Sequence, residues 1–164
     1  MSTFVAARLR SEPVAAILSS PLERARETAE PIAAAFGVEI ETEPDLDELD
    51  FGAWSGQSFD ALGGEPLWAA WNADRDRVRP PDGETFAEAQ SRAVRCIERI
   101  RRRHAGGTVA LVSHADLIKG VLAWTLGLPL AFYARFEVAP ASVSRVAFGD
   151  GGPKVVGMNH TVPA

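Results

Sequence analysis

Two short apolar runs constrain this chain more than anything else in it. Val14-Ala15-Ala16-Ile17-Leu18 and Thr108-Val109-Ala110-Leu111-Val112 lack the alternation of a strand that wets one face. Five residues are strand length, so each run reads as a strand covered on both faces. Each is followed at once by polar punctuation and a helical pattern: Ser19-Ser20-Pro21 after the first, Ser113-His114 after the second. Strands alternating with helices build a three-layer α/β sandwich, a mainly parallel sheet with helices on both faces. Ligands of such sheets bind beyond the carboxyl ends of the strands, so chemistry is expected beside Ser19-Ser20 and Ser113-His114.

The segments between supply the other layers. Ser20 reads as a helix N-cap and Pro21 as the first helical residue, with a helix over 22–36 that Gly37 stops and Pro31 is positioned to kink. Residues 2–10 read as a short helix ended by Pro13, residues 38–42 alternate like a strand, and 44–64 is irregular. Trp68 and Trp71, three apart within 65–73, predict a flap in which both indoles are packing residues. Thr85-Phe86-Ala87-Glu88 has the capping-box form, and Phe86, Ala89, Ala93, Ile97 and Ile100 then share one helix face. Arg101-Arg102-Arg103 sit where the dipole of that helix favours cations. A helix is expected over 116–126. A hairpin is expected at the sheet edge, from 142–148 to 154–158 around Asp150-Gly151-Gly152.

With 164 residues the chain reads as one domain, 1–164. Its 17 Lys+Arg against 22 Asp+Glu, a net charge of -5, argue against nucleic acid, whose backbone needs clustered cations. Cys96 has no partner for an internal disulfide, and no Cys/His spacing suits zinc. Without a long apolar run or a signal-peptide pattern, the expectation is a soluble cytoplasmic protein that does not engage a membrane.

Three side chains carry candidate chemistry: Arg24 early in the first helix, Glu48 in the irregular stretch, and His114 at a strand-to-helix junction. A cation, a carboxylate and an imidazole around a helix N-terminus can hold a phosphoryl group and move a proton. Read without context, each has a plainer role. Arg24 could pair with Glu23 or Glu27, Glu48 could belong to a solvated acidic loop with Asp45, Asp47 and Asp50, and His114 could cap the helix that follows.

Context is what distinguishes them. SSPLERARETA (19–29), LDELDFGAWSG (46–56), PPDGETFAEAQSRA (80–93) and LVSHADLIKGVL (111–122) occur in that order, followed by ASVSRVAF (141–148) and NHT (159–161). In these motifs the chain closely resembles the histidine phosphatase superfamily, the branch with cofactor-dependent phosphoglycerate mutases and broad-specificity phosphatases. The resemblance implies a phosphoglycerate mutase-like fold and a hydrolase of small phosphomonoesters, metal-independent and without a cofactor, that works through a phosphohistidine. It implies that Arg24 clamps phosphate oxygens and that Glu48 protonates the leaving alcohol. It implies that His114 donates a hydrogen bond to the phosphoryl group. The implied partner is a small phosphorylated metabolite or inorganic phosphate. Phosphomutase chemistry and a non-catalytic anion-binding protein are the alternatives.

The family's first strand ends in Arg-His-Gly, whose histidine is the nucleophile, and these 164 residues contain no such motif. His104 and His160 stand in other contexts. The resemblance therefore implies an N-terminally shortened chain, inactive by the phosphohistidine route, whose missing strand is the central one. The runs at 14–18 and 108–112 flank that strand in the family. They are expected to pair directly here, or to capture a segment of a second copy in a homodimer, since unpaired inward edges are costly.

Overall fold

The computed structural model describes residues 13–161, so the helix expected over 2–10 lies outside the described residues. Three parallel strands, β1 (Val14–Ser19), β2 (Ile40–Thr42) and β3 (Thr108–Val112), stand in the order β2-β1-β3. The two apolar runs are direct neighbours, with Ile17 opposite Ala110 and Ser19 opposite Val112. The Ser20 amide extends the pairing by donating to the Val112 carbonyl at 3.0 Å. No strand lies between them, and their carboxyl ends finish level. A separate antiparallel pair, β4 (Val143–Gly149) and β5 (Gly152–His160), forms the expected hairpin, its second strand running on to His160.

The described residues also form five α-helices, α1 (Glu23–Phe36), α2 (Phe59–Leu62), α3 (Pro66–Ala73), α4 (Phe86–Arg103) and α5 (Ala115–Leu126), and three short 3-10 turns. Side chains of β1 divide the core between its two faces, with a break in strand register between Val14 and Ala16. Val14 and Ile17 pack with Ala25, Ala29 and Ile32 of α1, whereas Ala16 and Leu18 face Cys96 and Ile100 of α4. Helices thus cover both faces of the sheet, and the chain has the expected three-layer α/β architecture. Burial follows the strand order: all of β1 but Ala15 is buried, whereas β3, last in the order, is fully buried only at Val112.

Local signals placed most helix ends correctly. Gly37 closes α1 in the left-handed region at φ 66°, and both halves of the Thr85–Glu88 capping box form. The start of α1 differs from expectation. Its N-cap position is Leu22, with no side-chain cap, and the Ser20 hydroxyl accepts the Leu22 amide at 3.2 Å while serving other partners. Among the described residues no helix is long and apolar enough to cross a membrane.

Candidate active site

The level ends of β1 and β3 bring Ser20 and His114, 94 residues apart, into contact. Ser20 is fully buried and His114 is 6% exposed. His114 Nε2 lies 2.8 Å from Ser20 Oγ, and Ser20 Oγ donates to Asp47 Oδ1 at 3.2 Å. Asp47 Oδ1 also accepts the Glu48 amide at 2.8 Å and stands 3.7 Å from His114 Nε2. A serine hydroxyl has one proton. With that proton on the carboxylate, the stronger acceptor, Nε2 of a neutral His114 must be the donor to Ser20 Oγ.

Serine, histidine and aspartate in contact suggest a hydrolytic triad, but the geometry excludes one. A triad places serine and carboxylate on opposite ring nitrogens, whereas here both lie on the Nε2 side. Ser20 is moreover sealed from substrate. Burial first, then the Arg24 charge, push His114 down to about 4 against the upward pull of Asp47. His114 starts α5 but makes no side-chain cap, so the plain capping role does not describe it.

Glu48 is half-buried, and its Oε1 accepts the Leu49 amide at 3.0 Å. Burial pushes its carboxyl up to about 7, opposed by the Leu49 amide, supported by the Asp116 charge, and opposed again by Arg24 and the Leu117 amide. Arg24 is exposed and its guanidinium makes no hydrogen bond or ion pair among the described residues, so it does not pair with Glu23 or Glu27. Its charge nevertheless reaches both His114 and Glu48. One open guanidinium is therefore within electrostatic reach of a neutral imidazole and of an acid able to hold its proton near pH 7. The other two histidines lie elsewhere. His104 follows α4 at the opposite end of β3, and His160 is opposite Val143 in the hairpin.

The loop carrying Asp47 and Glu48 is held by groups that the sequence reading left out. Arg92 on α4 donates from Nη1 to the Asp45 carbonyl at 2.8 Å and from both Nη atoms to the Asp47 carbonyl at 3.2 Å. Nη2 also reaches the Glu48 carbonyl at 3.3 Å and Glu84 Oε1 at 2.6 Å. Glu84, two residues before α4, completes the arch by accepting the Asp50 amide at 3.1 Å. Two backbones meet closely beside it. A Cβ on Gly52 (φ 51°) would stand 2.1 Å from the Pro81 carbonyl oxygen, and one on Gly83 2.4 Å from that of Asp50. The FGAW and PDGE segments were visible as motifs, and this interlock is why both contain glycine.

In the flap, Trp71 is buried at 1% exposure and stacks on Trp68 at 5.1 Å, while Trp54 meets both edge-on. Both flap tryptophans are packing residues. Arg75, just beyond α3, lies 4.0 Å over the Trp71 ring and pairs with Asp116 at 3.0 Å, tying the flap to the first turn of α5. Cys96 is buried, and burial pushes its thiol up to about 12, which leaves it unreactive.

A family model described as the histidine phosphatase superfamily (branch 1) matches residues 2–161. A Mycobacterium tuberculosis protein named as bifunctional is 37% identical over 151 residues, 90% of this chain but only 41% of that protein. The chain thus spans about two fifths of that curated relative. A Yersinia pestis protein named "Probable phosphoglycerate mutase GpmB" is 32% identical over 148 residues, covering 88% of this chain and 68% of its own length. Among solved structures, the alpha-ribazole phosphatase of Shigella flexneri superposes with a TM-score of 0.85 at 23% identity, covering 99% of this chain and 83% of that one.

Proposed function

The chain belongs to the histidine phosphatase superfamily, and on that premise we propose that its pocket binds the phosphoryl group of a small phosphomonoester for hydrolysis. In this reading Arg24 clamps the phosphoryl oxygens, His114 stabilises their charge, and Glu48 gives its proton to the leaving alcohol. The observation that carries it is the shared reach of Arg24: its unpaired charge acts on a buried imidazole and on a carboxyl raised to about 7. An acid with that pKa is half-protonated at neutral pH, as general-acid catalysis requires. The exposure of Arg24 favours hydrolysis over phosphomutase transfer, which needs a phosphoenzyme shielded from water. The similarity to a protein named as a phosphoglycerate mutase keeps the mutase as the second reading.

Of the three histidines in these 164 residues, His114 alone stands at the site, and it faces Ser20 and Asp47. These 164 residues by themselves offer the phosphohistidine route no nucleophile at the site, and taken alone they form an anion receptor with an acid in place. Titration with inorganic phosphate should show saturable binding that Arg24→Ala weakens about tenfold or more. Aryl phosphate should be released only at background rate. Absence of phosphate binding would overturn the pocket. Turnover accompanied by acid-labile phosphate on His114 would overturn the missing-nucleophile argument.

A further inference from the structure

The proton arithmetic around His114 leads one step further, resting on the anion-receptor reading above. We infer that Ser20 and Asp47 are positioning residues that hold the proton of neutral His114 on Nε2, so that an anion arriving beside Arg24 draws a second proton from solvent onto Nδ1. Ser20 Oγ accepts from Leu22 N and His114 Nε2 and gives its only proton to Asp47. Every hydrogen-bonding role of that hydroxyl is filled, and the neutral tautomer with its proton on Nδ1 would set two acceptors against each other. Nδ1 makes no hydrogen bond among the described residues, so its lone pair is the one open position on the ring.

The charges that act on the ring come from two elements. Arg24 of α1 disfavours the imidazolium, and Asp47, 3.7 Å from Nε2, favours it. Glu48 lies in the same loop as Asp47, and Asp116 of α5 is already paired with Arg75. In the empty pocket burial and Arg24 win, and the ring is neutral well above pH 4. A dianion beside Arg24 cancels that cation and adds charge of the sign that Asp47 supplies. The imidazolium is then flanked by two anions. Binding and protonation are thereby linked: one proton leaves the buffer and joins the Nδ1 lone pair, and no covalent bond in the protein breaks.

Sulfate is the suitable probe, because it does not titrate near neutral pH. Calorimetry near pH 5, where sulfate is still a dianion, His114 is neutral without the anion and Glu48 already holds its proton, should show uptake approaching one proton per sulfate in buffers of different ionisation enthalpy. That uptake should persist in Glu48→Gln, disappear in His114→Gln and fall by about half or more in Asp47→Asn. Nitrogen chemical shifts of His114 should report the Nε2-protonated neutral ring before sulfate and the imidazolium after it. Ser20→Ala should give mixed tautomers, and the Asp47→Asn arm stands if that variant does not fold. Sulfate binding without uptake, uptake that survives His114→Gln, or uptake lost in Glu48→Gln overturns the inference and leaves the anion receptor intact. Failure of sulfate to bind overturns both.

Discussion

Two parts of one stretch of chain are held by opposite physics. The loop through Asp45, Asp47 and Glu48 is pinned by directional bonds: Arg92 to three carbonyls, Glu84 to the Asp50 amide, and Ser113 Oγ to the Leu46 carbonyl at 2.7 Å. The flap that follows is held by ring area, with Trp54, Trp68 and Trp71 in mutual contact and Phe59 left 79% exposed at its rim. Directional bonds fix atoms to within fractions of an ångström, which the leaving-group acid role proposed for Glu48 requires. Aromatic packing is tolerant of position and sensitive to volume. The same chain therefore fixes the Glu48 loop with one device and packs the adjacent Leu49 with the other.

The largest effect should come from emptying the flap. Trp71→Ala removes a fully buried indole and should cost about 3–5 kcal/mol in chemical denaturation. A loss below about 1 kcal/mol would mean that the flap is not part of the cooperative core. In the pinned loop, Arg92→Ala leaves Glu84 and several carbonyls without their donor and should cost about 3 kcal/mol. Arg92→Lys should recover less than half of that, because an ammonium cannot reproduce the fork across carboxylate and carbonyls. Full recovery with lysine would show that charge alone holds the loop.

Glu48 tests the difference through pH. Its carboxyl is raised from 4.5 to about 7, so the folded protein holds the proton more tightly than the unfolded chain. Its contribution is intact below pH 4.5, is lost as pH rises through 7, and is flat beyond. Glu48→Gln should therefore be more stable than the parent by about 2–3 kcal/mol at pH 8 and no different at pH 4. His114, lowered from 6.5 to about 4, acts in the reverse sense: stability grows with pH across that window. Thermal unfolding of the Gln variant should then rise steadily from pH 4 to 6.5. A falling curve would show that neither group is buried as described. The smallest change should come from the exposed rim, where Phe59→Ser should alter stability by no more than about 0.5 kcal/mol.

Much of the fold was legible because its signals are local. The strand runs, the Gly37 stop, the capping box and the hairpin all depend on residues within a few positions of one another. Ser20 shows where that reading ends. A serine before a proline and a helical pattern has the local form of an N-cap, but its hydroxyl is taken by His114 and Asp47. Glu84 gives no local signal for the same reason, since its partners Arg92 and Asp50 are 8 and 34 residues away.

The sequence by itself determined the alternation of buried strands and helices and, through four motifs in order, the superfamily. It also put Arg24, Glu48 and His114 forward as candidates, because residue type and motif context are properties of the chain alone. The tertiary structure decided which atoms meet and which lose their water. The proton on Nε2 of His114, the arch of Arg92 over the Glu48 loop and the high pKa of Glu48 arise from contacts across 94, 47 and 44 residues or from desolvation. Desolvation and hydrogen-bond partnership exist only once separate segments are packed together, and so no local pattern encodes them.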